Sequence, residues 1–188
     1  MFLGYGNIYR SMLSGNLVHT STVLMRRDRQ RAVGEFDVSL ERSGEDYDFY
    51  LRTCRAGTVA FADVCSIEYR VGSADQLTAS RYNVDLARNF LAAIDKAVRL
   101  DGDALPLSSQ ELNRIRAEAS AWYGSGLIAA GQVSAGRRFL ARSLRLRWST
   151  GPAAVFISSH LSPGTRWLAR KAVQTARLVF AALGSQLD

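Results

Sequence analysis

The sequence predicts an α/β segment over residues 1–73, followed by an all-α region over residues 74–188. In the first segment, short β-branched runs flank one helical stretch, which is the pattern of an α/β unit. The second region contains only amphipathic helical patterns separated by Gly- and Pro-containing breaks. The charge is uneven, because residues 1–100 carry 13 basic and 12 acidic side chains, whereas residues 101–188 carry 11 and 5, so the basicity belongs to the C-terminal part.

The composition is that of a globular protein with a core. Of the 188 residues, 47% are hydrophobic and 22% are charged, which is ordinary for a soluble domain. The N-terminal residues lack the apolar run of a signal peptide, and no stretch approaches the roughly 18 apolar residues of a spanning helix. Cys54 and Cys65 form no metal-ligand pattern. We therefore expect buried free thiols, a reducing compartment and a cytoplasmic location.

Five elements are predicted in the first segment. The run NLVHTSTVLM alternates and is rich in β-branched residues, which predicts a strand over residues 16–25. A short helical turn closed by Gly34 follows, and then a loop anchored by Phe36 and Leu40. The remaining predicted elements are a helix over residues 45–56 and strands over residues 58–63 and 65–71.

The helix over residues 45–56 combines an apolar stripe with acidic residues in its first turn. Its core-facing residues are spaced i, i+3, i+4 and i+7: Tyr47, Tyr50, Leu51 and Cys54. Glu45 and Asp46 lie at the positive end of the helix dipole, where a carboxylate is stabilised as an anion. Most such pairs only stabilise the helix terminus. Asp46, however, lies beside the stripe at the edge of the predicted core, a position that suits a general base at the floor of a cleft.

The second region is predicted to contain a helical hairpin over about residues 108–147. Ser108 or Ser109 is the expected N-cap of its first helix, with Glu111 nearby as in a capping box. The small and large packing residues are spaced as in a tetratricopeptide hairpin: Trp122, Tyr123, Gly124, Leu127, Gly131, Ala135, Ala141 and Leu144. A generic helical hairpin is the alternative, because only one such unit is found and at least three are usual in a free-standing solenoid.

The first segment resembles the acceptor-binding half of a family 2 glycosyltransferase of the GT-A fold, over residues 14–73. The resemblance rests on a series of motifs in the family's order: Gly15-Asn16, Arg26-Arg27, Gly34-Glu35-Phe36-Asp37, Glu45-Asp46-Tyr47-Asp48 with Leu51-Arg52, and Tyr69-Arg70. A helical extension follows the catalytic domain in some members. The resemblance therefore implies that residues 1–73 are the C-terminal part of a GT-A, Rossmann-like domain, whose parallel sheet covers the helix over residues 45–56.

The resemblance also implies an activity, the inverting transfer of a sugar from a nucleotide diphosphate to an acceptor hydroxyl such as that of a glycan. Asp46 matches the general base, and Glu45, Asn16 and Arg70 match substrate-binding positions. A divalent cation, Mg²⁺ or Mn²⁺, is expected for the complete enzyme, with ligands in an Asp-x-Asp motif mostly outside this chain. The donor-binding half would precede residue 14 or come from a protein partner. We therefore expect this chain alone to be inactive.

Two alternatives remain for the chain as a whole. It could be a non-catalytic helical module that binds other proteins. It could also be a peripheral protein at the inner face of the membrane, since residues 163–183 are basic and amphipathic and suit an anionic surface. The same pattern also describes an ordinary C-terminal packing helix, which is the interpretation we favour for that stretch. We do not expect nucleic acid as a partner, because the basic residues come with no recognisable reader motif.

Overall fold

The computed structural model describes residues 3–68 and 82–161. Its elements in these ranges follow one another in the order β1 (Leu3–Gly6), α1 (Tyr9–Met12), a 3₁₀ turn (Thr20–Thr22), α2 (Arg27–Val33), α3 (Glu45–Arg55), β2 (Val59–Ala62), α4 (Asn83–Asp101), a second 3₁₀ turn (Gly102–Ala104), α5 (Ser109–Ala129), α6 (Val133–Leu146) and α7 (Thr150–Ser158). The architecture is predominantly helical in both described parts of the chain.

The predicted α/β, GT-A-like fold of the first segment is wrong. The sheet found in the described ranges has two strands, β1 and β2, which are antiparallel with Leu3 opposite Ala62 and Gly6 opposite Val59. No parallel, Rossmann-like sheet occurs in the part of the chain that the structure describes. Strand β2 lies within the predicted strand over residues 58–63, so only that one of the three predicted strands is confirmed.

The predicted strand over residues 16–25 is replaced by turns that its own polar side chains stabilise. The Asn16 Oδ1 atom accepts a hydrogen bond from the Val18 amide at 3.0 Å. The Thr22 amide and hydroxyl both donate to the His19 carbonyl, at 2.9 and 2.8 Å. Such local bonds compete with a sheet ladder and override the β-propensity of the run. In the predicted strand over residues 65–71, residues 65–68 are likewise not a strand, and the rest lies outside the described ranges.

The helical predictions agree with the structure. Helix α2 ends at Gly34, whose φ of +87° is accessible to glycine at little cost. Helix α3 spans Glu45–Arg55, and its predicted stripe is buried. Helix α5 begins with the capping box of Ser108 and Glu111. Of the two cysteines, Cys54 is buried as predicted, whereas Cys65 is exposed.

The core lies between the first segment and helix α4, and helices rather than a parallel sheet cover α3. Most of its buried side chains come from four helices: Tyr9 and Met12 of α1, Tyr47, Phe49, Tyr50, Leu51 and Cys54 of α3, Ala93, Ile94 and Ala97 of α4, and Ile115 of α5. Leu13, after α1, and Leu105, after the second 3₁₀ turn, complete it. The expected sheet on α3 is therefore wrong, because α1, α2 and α4 occupy its apolar stripe. The first segment and the helical region share one core.

A network of ion pairs joins the first segment to α4. The Asp48 side chain is 2% exposed, and its oxygens accept from Arg52 Nε at 2.8 Å and from Lys96 Nζ at 3.0 Å. Lys96 also reaches Asp37 Oδ2 at 2.8 Å. The Arg52 guanidinium donates further to the carbonyl oxygens of Val33 and Glu35. The end of α2, the following loop, α3 and α4 thus meet at one buried carboxylate.

Helices α5 and α6 form a hairpin in which two glycines allow close approach. A Cβ atom on Gly136 would lie 2.5 Å from Ile128 Cγ1 and 2.6 Å from the Gly124 carbonyl oxygen. Asp95 of α4 ties the pair together, since it accepts from Arg116 of α5 at 2.7 Å and from Arg142 of α6 at 3.1 Å. The small residues Gly124 and Gly136 are therefore required for a steric reason, because a side chain at either position would be too close to the facing helix.

Substitution of Gly136 by alanine is expected to lower the free energy of unfolding by about 1–3 kcal/mol, because the methyl group would overlap backbone atoms of α5. Chemical denaturation measures the change. Gly151→Ala is the matched control, since its Cβ meets nothing within 4 Å. Equal stability of Gly136→Ala and the wild type would show that the hairpin is less tightly packed than described.

The ion network predicts a pH dependence of stability. The hydrogen bond from Lys96, together with those from Ser39, holds the pKa of Asp37 well below its usual value. A lowered folded pKa contributes stability above the unfolded value of about 3.9 and loses it as the pH falls. Lys96→Met should therefore cost stability at neutral pH, and its difference from the wild type should shrink between about pH 5 and about pH 2.

Urea unfolding across this pH range measures the difference. Arg31→Met is the control, because Arg31 is exposed and has no ion pair within the described ranges. A difference between Lys96→Met and the wild type that stays constant with pH would contradict the coupling of Lys96 to Asp37.

Candidate functional site

A cleft of about 730 Å³ lies where the first segment meets the helical region. One wall is the polar turn segment over residues 14–21, and the N-terminus of α3 forms the adjoining end. Helices α4 and α5 supply the opposite wall. The volume lies in the range of small-molecule sites, which are concave and carry a few polar groups on a largely apolar lining.

Asp46 is the carboxylate of α3 that lines this cleft. Its Oδ1 atom accepts from the Tyr47 amide at 2.7 Å, and its Oδ2 atom lies 3.4 Å from the Thr20 hydroxyl. The side chain is partly buried and has no cationic partner within the described residues. Asp48 lies about 200° further around the helix and faces the buried ion network instead. The two aspartates therefore have separate environments.

Asn89 of α4 fixes the loop that leads into α3. Its buried side-chain amide donates to the Glu41 carbonyl at 3.0 Å and to the Ser43 carbonyl at 2.5 Å. Gly44 follows with a φ of +85°, and a Cβ atom there would lie 3.1 Å from Asn89 Cβ. Because the helix begins at the next residue, Asn89 sets the position of the first turn that carries Asp46.

Tyr47 connects the cleft to α1. Its hydroxyl donates to the Met12 carbonyl oxygen at 2.8 Å, just before the polar segment begins. Burial raises the pKa of the Tyr47 hydroxyl above its ordinary value, so the group remains a neutral donor. The Tyr47 hydroxyl therefore keeps its proton near neutral pH, and its hydrogen bond to Met12 holds the floor of the cleft.

Aromatic rings extend from Tyr47 along the helical wall. The Tyr47 and Phe90 rings stack with centroids 4.9 Å apart, and the Phe90 and Trp122 centroids are 6.2 Å apart. Trp122 remains partly accessible at the cleft surface. On α5, Ile115 and Ala119 continue this wall, spaced i and i+4 before Trp122 at i+7. The wall is thus apolar and lies opposite the polar turn segment.

The same face of α5 also brings a second carboxylate to the cleft. Glu118 pairs with Arg114 at 3.3 Å and with Arg147 at 3.4 Å, and about half of its side chain is exposed. These two exposed ion pairs compensate its charge, whereas Asp46 has no such partner in the described ranges. Asp46 is therefore the better placed of the two to accept a proton from a bound hydroxyl.

The predicted site residues have different positions in the structure. Asp46 and Asn16 both line the cleft, although they are 30 positions apart in sequence. Glu45 lies next to Asp46 but does not line the cleft, and its Oε2 atom is buried without a hydrogen-bond partner among the described residues. Arg70 lies outside the described ranges, as does the basic stretch over residues 163–183.

Several residues of the cleft were not recognised in the sequence. Thr20 and Phe90 were not singled out, and Trp122 was interpreted only as a packing residue of the hairpin. His19 is exposed and also lines the cleft. The sequence shows aromatic residues at helical spacing. That spacing does not show that α4 and α5 direct them into the same cleft.

The described residues do not provide the divalent-cation site expected for the complete enzyme. Within residues 3–68 and 82–161, no three His, Cys, Asp or Glu side chains are grouped so that they could hold a metal ion. We therefore derive no step through a metal. In the same ranges, no helix is both long and apolar enough to cross a membrane.

Comparison with known proteins identifies no relative: no protein-family model, no curated protein and no solved structure matches the chain.

Substitution of Asn89 tests how the first turn of α3 is positioned. Asn89→Asp replaces an amide donor by a carboxylate facing two carbonyl oxygens. Asn89→Ala removes that donor, together with the oxygen that accepts from Arg88 Nε. We expect a loss of about 1–3 kcal/mol in the free energy of unfolding for Asn89→Ala, and a larger loss for Asn89→Asp near neutral pH. Chemical denaturation gives both values.

A matched control is Asn113→Asp, an exposed position on α5 away from the loop. Amide hydrogen exchange of residues 45–48 should accelerate in Asn89→Ala and not in the control. If Asn89→Asp were as stable as the wild type, the two hydrogen bonds would not hold the loop.

Proposed function

We propose that this chain forms the acceptor side of an inverting, nucleotide-sugar-dependent glycosyltransferase, with Asp46 as the general base toward an acceptor hydroxyl. The observation that carries the proposal is that Asp46 and Asn16, two positions of the glycosyltransferase-like motifs, line one cleft. The cleft forms although the predicted parallel sheet is absent from the described residues. The proposal therefore depends on the site and not on the corrected fold.

The lining of the cleft suits a sugar. A sugar ring has hydroxyl groups around its edge and C–H groups on its faces, so it needs both polar and apolar neighbours. Asn16 and Thr20 offer hydrogen-bonding groups on one wall, and Trp122 offers an aromatic face on the other. Because Asn16 Oδ1 already accepts from the Val18 amide, its side-chain NH₂ is the group left to donate to a ligand.

The chemistry requires a base because a sugar hydroxyl is a weak nucleophile at neutral pH. As the acceptor oxygen forms its bond to the anomeric carbon of the donor, its proton passes to an Asp46 carboxylate oxygen. The bond from the anomeric carbon to the diphosphate breaks on the opposite face, and the nucleoside diphosphate leaves with the electron pair. The product is a glycoside of inverted configuration and a protonated Asp46, which then returns the proton to solvent.

The donor site is proposed to lie outside the described residues, together with the ligands of the Mg²⁺ or Mn²⁺ ion. The sheet of β1 and β2 supports a contact with a further segment or a protein partner. It has only two strands, and Leu3, Tyr5 and Phe61 are exposed on it. A two-stranded ribbon is marginal alone, and its free edges can pair with added strands.

Nuclear magnetic resonance of the full ¹⁵N-labelled chain tests acceptor binding, with a panel of methyl glycosides as probes. We expect the Asp46 amide and the Trp122 indole signals to shift with at least one glycoside. Trp122→Ala should weaken the response by about tenfold or more, because a well-buried aromatic contact contributes about 1–3 kcal/mol. Trp148→Ala is the matched control, as that exposed tryptophan lies outside the cleft.

Transfer assays test the base. The chain alone, with uridine- or guanosine-diphosphate sugars and Mn²⁺, should release no nucleoside diphosphate. Once a donor-binding part is supplied, Asp46→Asn should lower transfer by about 10²–10⁴-fold while glycoside binding persists. Asp28→Asn, at an exposed position of α2, should have no effect. Full activity of Asp46→Asn would contradict the proposal, and a cleft that binds no glycoside would favour the non-catalytic, protein-binding alternative.

A further inference from the structure

The hairpin of α6 and α7 has a charge distribution that the proposed function does not explain. Between Glu118 and Asp188 the sequence contains nine lysine and arginine residues and neither aspartate nor glutamate. Five of the nine are arginines of α6 and the residue after it: Arg137, Arg138, Arg142, Arg145 and Arg147. This region is therefore cationic without the interspersed acidic residues of an ordinary soluble surface.

Three of these five arginines have internal partners. Arg142 reaches Asp95 of α4, and Arg147 reaches Glu118 of α5. Arg137 Nε donates to Ser159 Oγ at 2.9 Å. Since Ser159 follows the last residue of α7 and Arg137 is the fifth residue of α6, this bond joins the end of α7 to the beginning of α6 and fixes the two helices antiparallel.

The two other arginines, Arg138 and Arg145, face solvent. They are seven residues apart, which places them on one face of α6. Both are exposed, and neither forms an ion pair within the described residues. Their charge is available to an external anion.

Exposed apolar side chains accompany this charge. Trp148, directly after α6, is 67% exposed, and Ile157 of α7 is 66% exposed. Leu161 is also exposed at the end of the described range. An indole ring beside arginines suits the boundary between lipid headgroups and acyl chains, where one end of the ring is apolar and the other wet.

We propose that the solvent-exposed surface of the α6–α7 hairpin, called here the basic face and including Arg138, Arg145, Trp148 and Ile157, docks on the surface of an anionic phospholipid bilayer. The arginines supply the attraction to the headgroups, and Trp148 and Ile157 enter the interface. The apolar residues favour a bilayer over a nucleic acid, because a phosphate backbone offers them no apolar environment. The inference is independent of the acceptor site and of the stretch over residues 163–183.

Vesicle sedimentation of the full chain tests this face. We expect binding to phosphatidylcholine vesicles that contain phosphatidylglycerol, weaker binding to phosphatidylcholine alone, and release by salt. Arg138→Ser/Arg145→Ser should weaken binding about 10- to 30-fold, in line with the contribution of basic residues near an anionic surface. Trp148→Ser should weaken it further and remove the shift of tryptophan fluorescence on binding.

Two control variants distinguish binding through this surface from an effect of net charge and from non-specific hydrophobic adsorption. Arg27→Ser/Arg31→Ser removes the same charge from an exposed face of α2. Leu24→Ser removes a fully exposed apolar side chain elsewhere. Both should bind vesicles like the wild type, and all variants should show wild-type circular dichroism and unfolding midpoints. This pattern would support the proposed face.

Three results would overturn the proposal. The control pair could weaken binding as much as the α6 pair, which would make the effect one of net charge. The α6 pair could bind like the wild type while Arg166→Ser/Arg170→Ser abolished binding. Finally, the chain could bind a DNA duplex in fluorescence anisotropy and fail to bind the anionic vesicles.

Discussion

The burial of one carboxylate, Asp48, is the constraint on which the arrangement of the other elements depends. An ionised aspartate removed from water is stable only when cations and hydrogen bonds compensate it. Arg52 and Lys96 meet that need, and each makes a second contact, Arg52 with carbonyl oxygens after α2 and Lys96 with Asp37. These contacts fix α3 relative to α2 and α4. The orientation of the first turn of α3 follows from that.

The acidic residues at the start of α3 therefore occupy three different environments. Asp48 is neutralised in the core, Asp46 lines the cleft, and Glu45 places one oxygen in a buried position without a partner among the described residues. All three gain from the helix dipole, which is a sufficient reason for acids at a helix N-terminus. Among the described residues, only Asp46 of the three combines access to a cleft with the absence of a compensating cation. The surroundings of Asp46, and not its position in the sequence, thus suggest that it acts as a general base.

The helices and the buried stripe of α3 could be predicted from sequence because they depend on periodicity and capping. The strand over residues 16–25 could not, because Asn16 and Thr22 satisfy nearby backbone groups and hold turns that outweigh β-propensity. Only some of the residues that line the cleft could be predicted from the sequence. Asp46 and Asn16 belong to recognisable motifs, whereas Trp122 enters through the packing of α5 beside α4, which no local pattern records.

The cleft and the basic face are physically joined through Glu118. This residue lines the cleft, and its carboxylate pairs with Arg147, the neighbour of Trp148 in sequence. The hairpin of α5 and α6 is closely packed at Gly124 and Gly136, so the wall of the cleft on α5 and the basic face on α6 belong to one packed unit. A bilayer docked on the basic face would consequently fix the direction in which the cleft opens. An acceptor confined to the same surface would then need to diffuse in two dimensions only, which raises its effective concentration near Asp46.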